Sequence, residues 1–391
     1  MNINKLFNAV KKRTISPTDD SHQKNESKTT PGYFVDNCGK ENFGTLDQLK
    51  AAIASNNHNH VVDKEILLRL IKFWKAMQKT PDDLPEEYHI GGQWLPIIKD
   101  SFGPLISALD NEDLDSLERL LNNFFRQFGD FFGEPTNYQS EEYIQQKLER
   151  FKIYSSRWMD LYGEDSLEEI IDPLIGNPVG FLINEKLYTQ GNFINNHFAR
   201  RIEDLVTGKD KPIVCEIGGG FGGVAYHIIK RCPNINYIDY DIPLIALVSA
   251  YYLMIAYPDA KIGLYGEVEN LKNPFNEYNI VIVPNFTIRL LQENIATVCL
   301  NKCSFAEMDK FTVVEYMKQF ERICCGFILH MNHSWEPTSK NAFYQPSGGF
   351  KHWDLSEVEP SKTKFRRIYK IPAPFQGDFH GEFFEWLYER I

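Results

Sequence analysis

The chain has no long apolar run. Its most continuous apolar stretch, Ile242 to Ala256, is too short and too interrupted to cross a bilayer, so no membrane span is expected. Basic charge is also in short supply. The 42 Lys and Arg against 53 Asp and Glu leave a formal net charge of −11 at pH 7, which argues against nucleic acid or an anionic membrane as partner. Cysteine is sparse and shows no pairing pattern. The residues are Cys38, Cys215, Cys232, Cys299, Cys303, Cys324 and Cys325, several of them in apolar runs and none in a Cys-x-x-Cys pair. That is the usage expected of reduced, buried thiols in a cytoplasmic protein, and it gives no reason to expect a zinc or other metal site. Met1 to Thr30 has no apolar core, so it reads as a mobile tail rather than a secretory signal.

What remains is an ordinary globular composition, with 43% hydrophobic and 24% charged residues among 391, enough for two domains. Helical spacing dominates the first half. Asp63 to Lys79 places Ile66, Leu67, Leu70, Ile71, Trp74 and Met77 on one face. A second helix follows Asn111-Glu-Asp113, with Leu117 to Phe128 supplying its apolar stripe, and a third starts after Ser140, an N-cap residue followed by acids. Phe181 to Leu205 has helical spacing as well, passing through Asn195, Asn196 and His197, either as a connector or as a wall of a pocket. The histidines of Asn56-Asn-His-Asn-His60 lack an acidic or cysteine neighbour and read as a solvated loop. No comparable strand pattern precedes Lys211, so residues 31–205 are expected to form a helical N-terminal domain and residues 206–391 a second domain.

The second domain is organised around Glu216-Ile-Gly218-Gly219-Gly220-Phe-Gly222-Gly223. An apolar strand pattern, Pro212 to Cys215, stands before it and a helical one, Val224 to Lys230, behind it. Strand, glycine turn and helix start together let a ligand approach the backbone and meet unpaired N–H groups. Gly218-x-Gly220-x-x-Gly223 fits the dinucleotide fingerprint, and Glu216-x-Gly218-x-Gly220-x-Gly222 fits the loop of S-adenosylmethionine (SAM) methyltransferases. Glu216 separates the two. A carboxylate two residues before the first glycine gains nothing from an anionic pyrophosphate, whereas SAM carries a sulfonium and an ammonium.

Further strands are expected at Ile235 to Asp241, Lys261 to Tyr265, Tyr278 to Val283 and Phe327 to His330, with a helical region between Asn285 and about Asn301 and the last strands near Phe365 to Ile371 and Phe383 to Leu387. Alternating strands and helices give an α/β, doubly wound sheet, and ligands bind beyond the carboxyl ends of its strands. Those ends carry the glycine loop, Asp241 with Ile242, Glu267, Asn285 and His330. Asp241, about twenty residues past the loop, is placed to accept ribose hydroxyls or to cap the helix opened by Pro243, with Asp239 in reserve. Glu267 is placed to face an adenine. After His333 an aromatic-rich stretch with Trp335, Phe343, Tyr344, Phe350, His352 and Trp353 reads as a binding lid or as a loop pinned by its own aromatics.

Four stretches resemble a known family: Glu216 to Gly223, Asp241-Ile-Pro243 with Tyr251-Tyr252-Leu253, Ser304-Phe-Ala-Glu307-Met308, and His330-Met-Asn-His333. Gly176-Asn177-Pro178 is similar too. The family is the sugar O-methyltransferases associated with polyketide-sugar and surface-polysaccharide biosynthesis, and the resemblance covers roughly residues 165–335. It implies a class I, Rossmann-like methyltransferase fold, SAM as methyl donor and a sugar or sugar conjugate as acceptor, with the oligomeric state left open. The residues expected to contact the cofactor, from the glycine loop and the strand ends, are Glu216, Gly218, Gly219, Gly220, Gly222, Asp241, Ile242, Glu267 and Asn285. Pro284-Asn285 stands where many superfamily members have an acid, so no metal is expected. A sugar hydroxyl needs a general base, and His330, His333 and Glu307 are the candidates. A histidine base implies activity rising with pH through about 6.5. Two other readings stay open: a nicotinamide-dependent oxidoreductase, which Glu216 and the lack of a downstream Tyr-x-x-x-Lys pair disfavour, and a non-catalytic binding protein of the same fold.

Overall fold

The computed structural model describes residues 62–79, 81, 83–92, 94–128, 140–183, 186–333, 353–375 and 383–391. The tail at 1–30, the His58 and His60 run and the aromatic stretch up to His352 lie outside the described residues.

Capping residues start the helices where the sequence places them. Asp63 accepts a hydrogen bond from Glu65 N at 2.9 Å and opens α1, Lys64–Met77, which buries Leu67, Leu70, Ile71, Trp74 and Met77. Two short helices follow, α2 at Trp94–Ser101 and α3 at Gly103–Asp110. Asp113 accepts from Ser116 N and caps α4, Leu114–Leu121. The single helix expected past Asp113 is broken at Asn122-Asn123 and resumes as α5, Phe124–Gln127. There Asn123 accepts from Asn177, and Phe125 N donates to Gly176 O, so the Gly176-Asn177-Pro178 segment docks into the break. Ser140 accepts from Tyr143 N and starts α6, Glu141–Tyr162, which ends at Gly163 with φ 87°.

The helical pattern from Phe181 begins later than its spacing suggests. Phe181–Ile183 (β1) and Lys186–Tyr188 (β2) form an antiparallel pair, and α7 runs from Gln190 to Val206. The main sheet then takes β3 (Ile213–Ile217), β4 (Asn236–Asp241), β5 (Ile262–Leu264), β6 (Ile280–Pro284), β7 (Ala296–Lys302), β8 (Cys324–His333), β9 (Phe365–Pro372) and β10 (Phe383–Arg390). Helices α8 (Gly223–Arg231), α9 (Pro243–Ala256) and α10 (Lys310–Ile323) connect them.

The strand order is β5-β6-β4-β3-β7-β8-β10-β9, with β10 antiparallel to both of its neighbours. Side chains alternate between the two faces. Val214, Tyr237, Ile282, Leu300, Leu329 and Leu387 pack under the side carrying α7, α8 and α9; Cys215, Tyr240, Val283, Cys299, Ile328 and Trp386 pack under α10. The sheet is thus α/β, Rossmann-like and covered on both faces. β3 and β7 are parallel, and the chain adds strands to one side of β3 and then, from β7 on, to the other, so the switch-point crevice lies at the carboxyl ends of those two strands.

That placement corrects one expectation. The stretch after Asn285 is not one helix. It is a 3₁₀ turn, Asn285–Leu290, followed by strand β7, which inserts between β3 and β8. The neighbour of the glycine-loop strand is therefore β7, and the strand ending at Asn285 lies on the far side of β4.

Candidate functional site

The glycine loop sits at the switch point. Gly220 has φ 62° and a Cβ built on it would meet nothing within 4 Å, so the loop opens there onto free space. At Gly219, by contrast, a Cβ would stand 2.5 Å from Asp239 Oδ1. The backbone N–H groups of Gly219 and Gly220 are taken by acids of β4. Gly219 N donates to Asp239 Oδ1 at 3.2 Å and Gly220 N donates to Asp241 Oδ2 at 2.9 Å.

Three carboxylates on one sheet face therefore underlie the loop. Glu216 is paired in register with Asp239, and Asp241 follows two residues later on β4. Glu216 is 1% exposed. Tyr237 OH donates to its Oε2, and its Oε1 has no hydrogen-bond partner among the described residues. Asp239 also accepts from Ser249 Oγ at 2.7 Å, and Asp241 Oδ1 from Ile242 N at 2.7 Å. Burial, and then the charge of Asp239, push the Glu216 carboxyl up to about 8. Burial lifts Asp239 to about 6 despite the Ser249 and Gly219 bonds. Asp241 lies well above the carboxylate range for the same reasons, burial first and Asp239 second. Packed negative charge of this kind is stabilised by a cation.

The other side of the switch point is built from residues that the missed strand hid. Asn301 Nδ2 donates to Ile217 O at 2.8 Å and to Ser304 Oγ at 2.5 Å. Asn332 Nδ2 donates to Asn301 Oδ1 at 2.9 Å, and Ala306 N donates to Asn332 Oδ1. The Ser304–Met308 and His330–His333 stretches are thus tied to the last residue before the glycines. No periodicity marks these asparagines as a network. Lys302, half-buried, ends β7 one step past the Asn301–Ile217 pair, beside Gly218.

The three candidate bases separate. His330 lies inside β8 rather than at its end, 1% exposed, and stacks on Trp386 at 4.6 Å with both ring nitrogens unpartnered among the described residues. Burial, helped by Lys370, holds it down to about 3. His333 ends β8, half-buried, and stacks on Phe383 at 4.8 Å. Glu307 lies past β7 in the 3₁₀ turn Phe305–Glu307 and accepts from Trp94 Nε1 at 2.9 Å. Burial raises it to about 7 against the Trp94 bond and Lys302. Trp353 Nε1 donates to Met308 O, so two tryptophans flank this turn.

Two expected cofactor contacts have other partners. Glu267 takes both nitrogens of Arg69, at 2.9 and 2.7 Å, in a bidentate pair. Asn285 Nδ2 donates to Tyr88 O and Tyr316 OH, both at 2.9 Å. A second buried ionic group, of which only His197 stands out in the sequence, joins α7 to β10. His197 contacts Glu385 Oε2 at 2.9 Å and Tyr162 OH at 2.5 Å; Tyr369 OH donates to Glu385 Oε1, and Arg201 lies 3.4 Å from it. Burial alone would raise Glu385, yet Arg201 and His197 hold it at about 2. The six described cysteines are free, and among the described residues no group of three or more His, Cys, Asp or Glu side chains is placed to hold a metal.

No family model matches this chain, and no curated protein does. Among solved structures it is similar to the mitomycin 7-O-methyltransferase MmcR, at 15% identity over 51% of this chain and 55% of that one, with TM-score 0.34. It is similar to the pyocyanin biosynthetic protein PhzM, at 12% identity over 76% and 72%, with TM-score 0.34. The glycopeptide N-methyltransferase MtfA, complexed with sinefungin, matches at 11% identity over 50% and 85%, with TM-score 0.34. The chain thus spans little more than half the length of MmcR. Likeness at this level decides nothing about activity; the fold assignment rests on the strand order.

Proposed function

We propose that this chain is a SAM-dependent O-methyltransferase acting on a sugar or sugar-conjugate hydroxyl. The observation that carries the donor is the buried acidic face under an open glycine loop, with Glu216 Oε1 lacking a hydrogen-bond partner among the described residues. A cationic, ribose-bearing ligand supplies what that face lacks; a dinucleotide pyrophosphate would add charge of the wrong sign. The acceptor class rests on the resemblance of the four motif stretches, and Trp94 and Trp353 beside Glu307 offer aromatic faces suited to sugar C–H groups. On this reading the helical segment within residues 31–205 frames the acceptor side.

Bound SAM supplies an electrophilic methyl group. The chain's own tasks are then to hold positive charge (Glu216), to accept ribose hydroxyls (Asp241), to let the ligand close on the backbone (Gly220), and to take the acceptor proton. Glu307 suits the last task best of the three candidates, because it titrates near neutrality and lies past the switch-point strand. His330 is stacked in the core. The assignment is tested with methyl-labelled SAM and a panel of nucleotide-linked hexoses. Incorporation into one member is expected, and incorporation into none, with SAM bound, would remove the sugar acceptor.

A base must be deprotonated to act, so turnover should rise with pH through about 7, the value for Glu307. Glu307→Gln should lower kcat by roughly 10²–10⁴-fold and flatten that limb, with SAM affinity retained. A limb unchanged in the variant would move the base elsewhere. Asp241→Ala should weaken SAM by roughly 1–3 kcal/mol. A fall in thermal stability alone would make Asp241 only a tie between the loop and the start of α9.

Proton linkage gives a further expectation. Glu216 and Asp239 are raised above their ordinary values, so they favour the folded, ligand-free protein at low pH and lose that contribution as pH climbs through about 6 and about 8. A bound cation reverses the shift. SAM binding should therefore release protons near pH 7 and tighten as pH rises from 6 to 8, a window set by these two groups. Calorimetry in buffers of different ionisation enthalpy measures the release directly, and proton uptake would contradict it.

A further inference from the structure

Lys302 and Glu216 carry opposite charges on neighbouring strands at the switch point. The register pairs Glu216 with Leu300 and Ile217 with Asn301, so Lys302 comes next, beside Gly218. By strand alternation it falls on the same sheet face as Leu300 and Glu216. The two do not bond. The Lys302 side chain makes no hydrogen bond or ion pair among the described residues, and Glu216 Oε1, deeply buried, has no donor there either. Lys302 nonetheless acts electrostatically on Glu216 and on Glu307. A buried carboxylate oxygen without a donor is costly, and a half-buried ammonium that bonds to neither acid is available to a ligand's carboxylate.

Resting on the SAM reading above, in which Glu216 faces the ligand's positive charge, we infer that Lys302 takes the carboxylate at the α-amino-acid end of the ligand. A zwitterion with both groups on one carbon matches one acid and one base on adjacent strands. The acidic face alone cannot recognise it, because Glu216, Asp239 and Asp241 would repel a carboxylate. Lys302 is the residue that converts a site for any adenosyl cation into a site for an amino acid.

The test uses the full chain, titrated calorimetrically with SAM, with decarboxylated SAM and with 5′-methylthioadenosine. Decarboxylated SAM has one negative charge fewer, so an acidic face without a working Lys302 should prefer it. With Lys302 engaged, wild type should bind SAM roughly ten- to a hundredfold tighter than decarboxylated SAM, the scale of a lost charge-assisted hydrogen bond. Lys302→Met should abolish or invert that preference and leave methylthioadenosine affinity unchanged, while Lys302→Arg should retain it. Unchanged methylthioadenosine binding also reports that the variant is folded. Wild type preferring decarboxylated SAM, or Lys302→Met keeping the preference for SAM, overturns the inference while the SAM reading stands. Failure of wild type to bind any of the three compounds overturns the SAM reading and this inference with it.

Discussion

Gly220→Val should reduce SAM affinity by roughly a hundredfold or more, which is about 2.7 kcal/mol at the least, while the variant still folds. Two features combine at this position. The backbone there has φ 62°, which a β-branched residue adopts at a cost of roughly 1–2 kcal/mol. The added side chain points into space with no protein atom within 4 Å of its Cβ, so it clashes with nothing in the fold and occupies the region the ligand needs. Gly219 is the contrasting case. A Cβ there meets the Asp239 carboxylate, so Gly219→Ala should disturb the fold before it disturbs binding. Calorimetry with SAM and a thermal melt, run on both variants, distinguish the two. Undiminished SAM affinity in a folded Gly220→Val protein would show that the ligand does not approach the loop there.

The second large effect is expected away from the ligand. Glu385→Leu removes the hydrogen-bond acceptor shared by His197 and Tyr369 and the counter-charge of Arg201, in a group that is fully buried at its centre. Breaking a buried pair from one side typically costs about 3–5 kcal/mol, because the remaining donors and charge are left unpaired. The measurement is chemical denaturation of both proteins. The pH dependence carries the opposite sign to that of the acids under the loop. Glu385 is held near 2, so its contribution is present above the ordinary carboxylate range and disappears as pH falls toward 2. The stability difference between wild type and Glu385→Leu should therefore shrink in acid. A difference of under about 1 kcal/mol at neutral pH would mean the group is weakly coupled to the fold.

These two sites differ in how far the sequence announces them. Five glycines in six positions before a helix can serve little else, and caps such as Asp63, Asp113 and Ser140 are local signals that the structure uses as written. Strand β7 is different. Ala296 to Lys302 mixes Thr, Asn and Lys into a short run, and it becomes a strand because β3 and β8 pair with it on both sides. Missing it placed Asn285 beside the loop and left Asn301 and Lys302 unread. His330 shows the same limit. Its position near a strand end suggests chemistry, but β10, far along the chain, lays Trp386 flat against it. Glu267 likewise meets Arg69 only through a contact across almost two hundred positions. Such long-range pairings carry no local pattern, so the glycine turn and the helix caps were legible and the partners of His330, Glu267 and Asn285 were not.

Titration of the wild-type chain with SAM and, separately, with NAD addresses the central claim most directly. The buried carboxylates under an open glycine loop predict saturable SAM binding accompanied by proton release, and no measurable heat with NAD. Binding of NAD with none of SAM would contradict the account, because Glu216, Asp239 and Asp241 would then be facing a pyrophosphate rather than a cation.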